Sequence, residues 1–234
     1  MSKLRAIVFD LDDTLYPEYS YVRSGFCAVA QWAEKELGIP SSETFTELLQ
    51  LFLKGVRGNT FNRWLESRGI CSKDLVCRMV QVYRNHPPQI RPYPEVEIIL
   101  TNLRRTYKLG IVTDGHMAVQ QKKLESLSIS HLFDAIVFSD ELGRENWKPS
   151  HHPFKVVLER LGVSGFEAVY VGDNPQKDFL GAKQVGMRTI RVRREEGLYS
   201  SLEPPSAEHA PNVEIKTLRE IETALEQLLD EKYH

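Results

Sequence analysis

The chain has no long apolar run, and nothing in it approaches the roughly 18 uninterrupted apolar residues that a membrane span requires. It also has little cysteine. Cys27, Cys71 and Cys77 are too few for a disulfide scaffold, and the step from Cys71 to Cys77 is not a CxxC metal pair. They read as reduced thiols packed within a cytoplasmic protein. Charge of one sign is lacking too. A formal net charge of −2 offers no concentrated basic surface for nucleic acid. Met1-Ser2-Lys3-Leu4-Arg5 leads straight into an apolar strand-like run, which reads as no secretory leader. The remaining composition, 41% apolar and 26% charged, is that of a globular protein with room for one domain or a core with an insert.

Short apolar runs recur at 6–9, 109–112, 135–138, 168–171 and 189–192. Helical periodicity fills the later intervals at 96–106, 117–127, 152–161 and 177–185. Strands alternating with helices predict an α/β fold: a Rossmann-like parallel sheet with helices on both faces. Residues 16–92 break that rhythm with four helical patterns, at 22–37, 43–54, 60–68 and 73–83, and no strand. His86-Pro87-Pro88 and Arg91-Pro92-Tyr93-Pro94 form a stiff exit from it. The expected organisation is a core of residues 1–15 and 93–234, with a small helical cap at 16–92. A helix is expected at 217–230, with a weakly signalled edge strand at 212–215.

The most informative feature follows the first strand. Ala6-Ile7-Val8-Phe9 runs into Asp10-Leu11-Asp12-Asp13-Thr14. Carboxylates at i and i+2 repel unless a positive group lies between them, and hard cations such as Mg²⁺ are natural partners. Three later landmarks also follow strands: Thr113-Asp114-Gly115, Lys148-Pro149, and Gly172-Asp173-Asn174 with Asp178 four residues on. A parallel sheet brings all of them to its carboxyl edge. Acids, one lysine, one hydroxyl and glycine-rich backbone suit metal-assisted chemistry on a phosphate.

These residues resemble the haloacid dehalogenase superfamily, with DxDxT at Asp10–Thr14, then Thr113, Lys148 and an acidic motif at Asp173–Asp178. The insert resembles that family's C1-type cap. The resemblance implies a Mg²⁺-dependent phosphatase that hydrolyses a small-molecule phosphomonoester, a sugar phosphate or nucleotide monophosphate, through an aspartyl-phosphate. Asp10 is then the nucleophile and Asp12 the general acid and base. Thr113, Asp114 and Gly115 form the phosphate cradle together with Lys148, which neutralises charge. Asp10, the Asp12 carbonyl and Asp173 become metal ligands, with Asp178 behind them. Asp12 argues against dehalogenation, since dehalogenases lack an acid there. A phosphomutase and a non-catalytic phosphate-binding module are the alternatives.

Thr113-Asp114-Gly115 departs from the common Thr-Asn-Gly, and Ser150-His151-His152 replaces the Asp that often follows Lys-Pro. His151 is a candidate for substrate contact, and a solvent-facing helix start is its plainer role. Tyr16, Pro17, Glu18 and Tyr19 could line an entrance at the first hinge. Arg23, Arg57, Asn59 and Arg63 could meet an anionic substrate, although a solvated helix face is the default for each. Trp32 and Trp64 are expected to pack between helices. Asp13 reads as an orienting or backbone-bonding residue. No sequence signal bears on oligomeric state.

Overall fold

The computed structural model describes residues 3–230. The chain divides into two compact units, Tyr19–Ile90 and the residues on either side of it.

The larger unit is built on six parallel strands: β1 (Ala6–Phe9), β2 (Lys108–Thr113), β3 (Ala135–Phe138), β4 (Ala168–Gly172), β5 (Arg188–Val192) and β6 (Val213–Ile215). Their order across the sheet is β3-β2-β1-β4-β5-β6. The first strand is therefore central, as its unbroken burial requires. The chain adds strands on one side of β1, then crosses to the other at β4, which places a topological switch point beside β1. Phe9 is in register with both Ile111 and Val171, so Asp10, Val112 and Gly172 stand level at the carboxyl edge. The expected fold class holds, and the edge strand expected at 212–215 is β6.

Helices α5 (Val96–Leu103), α6 (Met117–Leu127), α7 (His152–Leu161), α8 (Phe179–Gln184) and α9 (Ile221–Asp230) complete this unit. Phe154, Val157, Leu158 and Leu161 of α7 pack with Val8, Val112 and Val137 of the sheet, joined by Phe179 and Ala182. Three of these helices are shorter than the periodicity suggests, and α5 ends at Leu103 rather than at 106. The first turn expected of α8 is instead taken up by Asp178, whose carboxylate accepts the Asp173 and Asn174 N–H groups. At the last helix, Thr217 and Glu220 form a capping box around a 3₁₀ turn before α9 begins.

In the smaller unit, α1 (Glu18–Leu37) enters from the hinge and is followed by α2 (Ser41–Leu53), α3 (Thr60–Glu66) and α4 (Lys73–Asn85). Phe26 stands 5.9–6.1 Å, ring to ring, from Phe52, Phe61 and Tyr83, an aromatic centre drawn from all four helices. Trp64 is fully buried and donates to Glu47 at 2.8 Å. Trp32 is only half-buried. The three cysteines are free but exposed, which corrects the packed thiols expected from the sequence. Cys27 follows inward-facing Phe26, and α4 turns Met79 inward rather than Cys77. Among the described residues no helix is long and apolar enough to cross a membrane.

Gly181 fixes how closely α8 approaches the Lys148 loop. A Cβ there would lie 2.6 Å from the carbonyl oxygens of both Pro149 and Ser150. Gly181→Ala is expected to lower stability by about 1–3 kcal/mol, through forced separation of packed backbone. Urea unfolding checks this, and an unchanged midpoint would show that the loop yields freely.

Candidate active site

Asp10 follows the central strand, and its N–H donates to the Val171 carbonyl at 2.8 Å, which locks it to the neighbouring strand. Its Oδ1 lies 2.5 Å from Lys148 Nζ, and the same ammonium reaches Asp178 Oδ1 at 2.8 Å and the Tyr170 hydroxyl at 3.0 Å. These side chains are at most 2% exposed. One carboxylate oxygen from each of Asp10, Asp173 and Asp178 lies within 4.8 Å of the other two. Three buried acids thus cluster together, and the buried Lys148 ammonium pairs with two of them, Asp10 and Asp178.

The electrostatics follow from that imbalance. Burial pushes Asp10 up to about 6 even though Lys148 pulls it down, and Asp178 adds to the rise. Asp173 is driven well above the carboxylate range by burial and then by Asp178 and Asp10. Asp178 is also buried, but Lys148 and Lys177 outweigh that and hold it below the usual value. Burial opposes the charge on Lys148, yet Asp10 and Asp178 keep it well above an ordinary lysine. Asp10 Oδ2 and Asp173 Oδ2 are buried and accept no hydrogen bond. Two orphaned acceptors on carboxylates that resist ionisation fit a hard cation's oxygen-ligand chemistry.

Asp178 has both oxygens engaged, by Lys148 and by the Asp173 and Asn174 N–H groups. It therefore shapes the loop that presents Asp173. Arg191, fully buried on β5, supports that loop from behind. Its guanidinium donates to the carbonyls of Asp173, Tyr199 and Leu202 at 2.9–3.0 Å.

Asp12 points elsewhere. Its Oδ1 accepts from Lys123 Nζ at 2.7 Å and from the Tyr16 hydroxyl, and its Oδ2 accepts from Gln120 Nε2 at 2.8 Å. Burial pushes its pKa up, but Lys123 and these bonds outweigh burial and hold it below the carboxylate range. Gln120 Nε2 also donates to Thr113 Oγ1 at 2.6 Å, linking Asp12 to the hydroxyl at the end of β2. Asp114 Oδ1 accepts the Lys148 N–H at 3.2 Å, so its side chain holds the lysine's backbone. Gly115 follows with φ +117°, a conformation suited to glycine.

Asp13 adopts φ +54°, which short polar side chains tolerate. Its two oxygens accept the Glu18 and Leu198 N–H groups at 2.7 Å each. It closes the turn after Asp10 and binds it to a distant loop. Beside it, burial and Asp12 raise Glu18 to about 7.

The peripheral candidates each have local partners. Tyr16 is fully buried with its hydroxyl on Asp12. Within the helical unit, Tyr19 stacks near Phe52, and Arg23 stands 6.0 Å over Tyr19 and over Phe45. Arg57 lies 3.5 Å over Phe52 and donates to the carbonyls of Phe52 and Val56, which ties it to local structure. His151 is exposed and lines a groove along α7 with Lys155 and Glu159. Sequence reasoning missed Gln120, Lys123, Tyr170 and Arg191. The first two carried a signal: they extend backwards the inward face marked by Leu124 and Leu127.

Removing the buried ammonium tests this charge balance. Lys148→Ala leaves buried carboxylates uncompensated and is expected to cost about 3–5 kcal/mol at pH 7. Asp178, held low in the folded state, contributes stability that is complete above the unfolded carboxylate value and is lost as pH falls through its folded value. Lys148 provides that contribution, so the gap between wild type and variant should start to narrow only below about pH 4 and close below the depressed Asp178 value. Urea unfolding as a function of pH measures the gap. A pH-independent gap would show that the ion pair is not its source.

The model of the haloacid dehalogenase-like hydrolases matches residues 7–192. A glyceraldehyde 3-phosphate phosphatase of Methanopyrus kandleri is 36% identical, covering 96% of this chain and 98% of its own. One of the same description from Methanocaldococcus jannaschii is 32% identical, covering 86% and 89%. Among solved structures, a HAD phosphatase from Thermococcus onnurineus is 29% identical with a TM-score of 0.64, covering 95% of this chain and 98% of that one. A 2-haloacid dehalogenase from Pseudomonas syringae, 24% identical, covers 96% and 99% with a TM-score of 0.67. It shares the fold, and a fold alone does not choose the reaction. Family model and full-length relatives together show that the chain belongs to the haloacid dehalogenase-like hydrolases.

Proposed function

We propose that the chain is a Mg²⁺-dependent phosphatase of small phosphorylated metabolites, acting through an aspartyl-phosphate on Asp10. One observation carries the reading: two carboxylates two residues apart have opposite environments. Asp10 keeps one oxygen without a donor beside a buried lysine, whereas Asp12 is wrapped by donors. Paired acids separated in this way divide nucleophile from proton carrier.

In the first half-reaction an Asp10 oxygen attacks phosphorus, the bond to the substrate oxygen breaks, and Asp12 gives that oxygen a proton. In the second, Asp12 takes a proton from water as the water attacks phosphorus, releasing phosphate and restoring Asp10. Thr113 and Lys148 stabilise charge on the transferred group, where loss of one donor typically costs on the order of 10²–10³ in rate. Asp10, Asp173 and the Asp12 carbonyl would hold Mg²⁺, which supplies charge neutralisation at the phosphoryl oxygens.

The curated relatives named for glyceraldehyde 3-phosphate support a short sugar phosphate as substrate. The all-helical unit, inserted in the chain between β1 and α5, is proposed as the cap that selects it. A phosphate-release screen over glyceraldehyde 3-phosphate, longer sugar phosphates, nucleotide monophosphates and flavin mononucleotide tests the reading. Turnover is expected with Mg²⁺, without any sugar bisphosphate requirement, and is expected to vanish with chelator and in Asp10→Asn. Substantial activity surviving in Asp10→Asn would overturn the nucleophile assignment.

A further inference from the structure

We propose that Lys123 and Gln120 are positioning residues that aim the Asp12 carboxylate for proton transfer, leaving one place on Oδ2 for the travelling proton. This deepens the phosphatase reading above and rests on Asp12 being the acid and base. An ionised carboxylate offers about four lone-pair sites. Tyr16 and Lys123 take both on Oδ1, and Gln120 takes one on Oδ2. Among the described residues that leaves one Oδ2 site open to receive or release a proton.

The clamp comes from one helix face. Gln120 and Lys123 are three residues apart on α6, so they project together. They are 1% and 5% exposed, far below what a solvated helix face would give. A lysine and a glutamine so deeply buried need specific partners, and Asp12 engages both. Gln120 donates at once to Asp12 and Thr113, coupling the proton carrier to the phosphate-cradle hydroxyl. Space for it depends on Gly115, where a Cβ would lie 3.2 Å from the Gln120 amide.

In chemical terms, Asp12 Oδ2–H gives its proton to the leaving oxygen as the phosphorus–oxygen bond breaks. The same Oδ2 later takes a proton from the attacking water. Rotation about the Asp12 side chain would misplace both transfers without touching Asp10, Asp173 or Lys148. The defect should therefore depend on how much the leaving group needs a proton. An alkoxide needs one; p-nitrophenolate leaves without it.

The test compares kcat/KM for glycerol 3-phosphate and p-nitrophenyl phosphate in Lys123→Met, Gln120→Leu, Lys123→Arg and Asp12→Asn. The ratio of two substrates on one preparation is independent of the fraction correctly folded. Expected is a fall on the order of 10²-fold for the alkyl phosphate in Lys123→Met and Gln120→Leu, against less than about fivefold for the aryl phosphate. Lys123→Arg, which keeps a cation, should recover most of the loss. Equal losses on both substrates, or none, while Asp12→Asn discriminates between them would overturn the clamp alone. If Asp12→Asn itself fails to discriminate, the acid assignment falls and the clamp's role in proton transfer falls with it.

Discussion

The site depends on one imbalance of charge: three carboxylates buried together at the end of a parallel sheet, with a buried ammonium paired to two of them. Asp10, Asp173 and Asp178 lie too close to be ionised together without help, and Lys148 stabilises only part of that charge. Nearby architecture serves this arrangement. Strand register sets Asp10 level with the end of β4, Asp178 folds the loop that carries Asp173, and Asp114 holds the lysine's backbone. Such a cluster is unfavourable in a protein that binds no cation or phosphate, and it is where the sequence first draws attention.

A second division of labour separates Asp12 from that cluster. Two residues along an extended turn carry it out of the acidic centre and into a set of donors from α6 and Tyr16. The local sequence Asp-Leu-Asp thus generates two environments of opposite character within a few ångströms of backbone. Environment, rather than residue type, distinguishes their chemistry.

Much of this was legible in the sequence. The run at 6–9 and the helices 117–127 and 152–161 have the expected bounds, because apolar periodicity and termini coincide there. The four motifs follow strands whose common direction brings them to one edge. What escaped were residues whose role requires a partner far along the chain. Lys123 looks like a solvent residue until Asp12 is placed beside it, 111 positions away. Arg191 lies inside an apolar strand pattern, and nothing local says that its guanidinium caps three carbonyls. Asp13 needs Leu198 to explain its second oxygen. The exposed cysteines were misread because scarcity was taken as burial, whereas the helix face decides.

The bonds from Arg191 and Asp13 to the segment 198–202 also have a temporal meaning. Asp10 follows a strand that lies between partners more than a hundred residues further along the chain. The turn behind it is fastened only when Leu198 appears, and the loop of Asp173 only when Tyr199 and Leu202 do. During synthesis the acidic centre therefore stays unassembled until residues 198–202 have been added. Long-range closure of this kind slows folding. It also makes the arrangement of the carboxylates depend on that late segment, since a chain ending before residue 198 would carry them without these bonds.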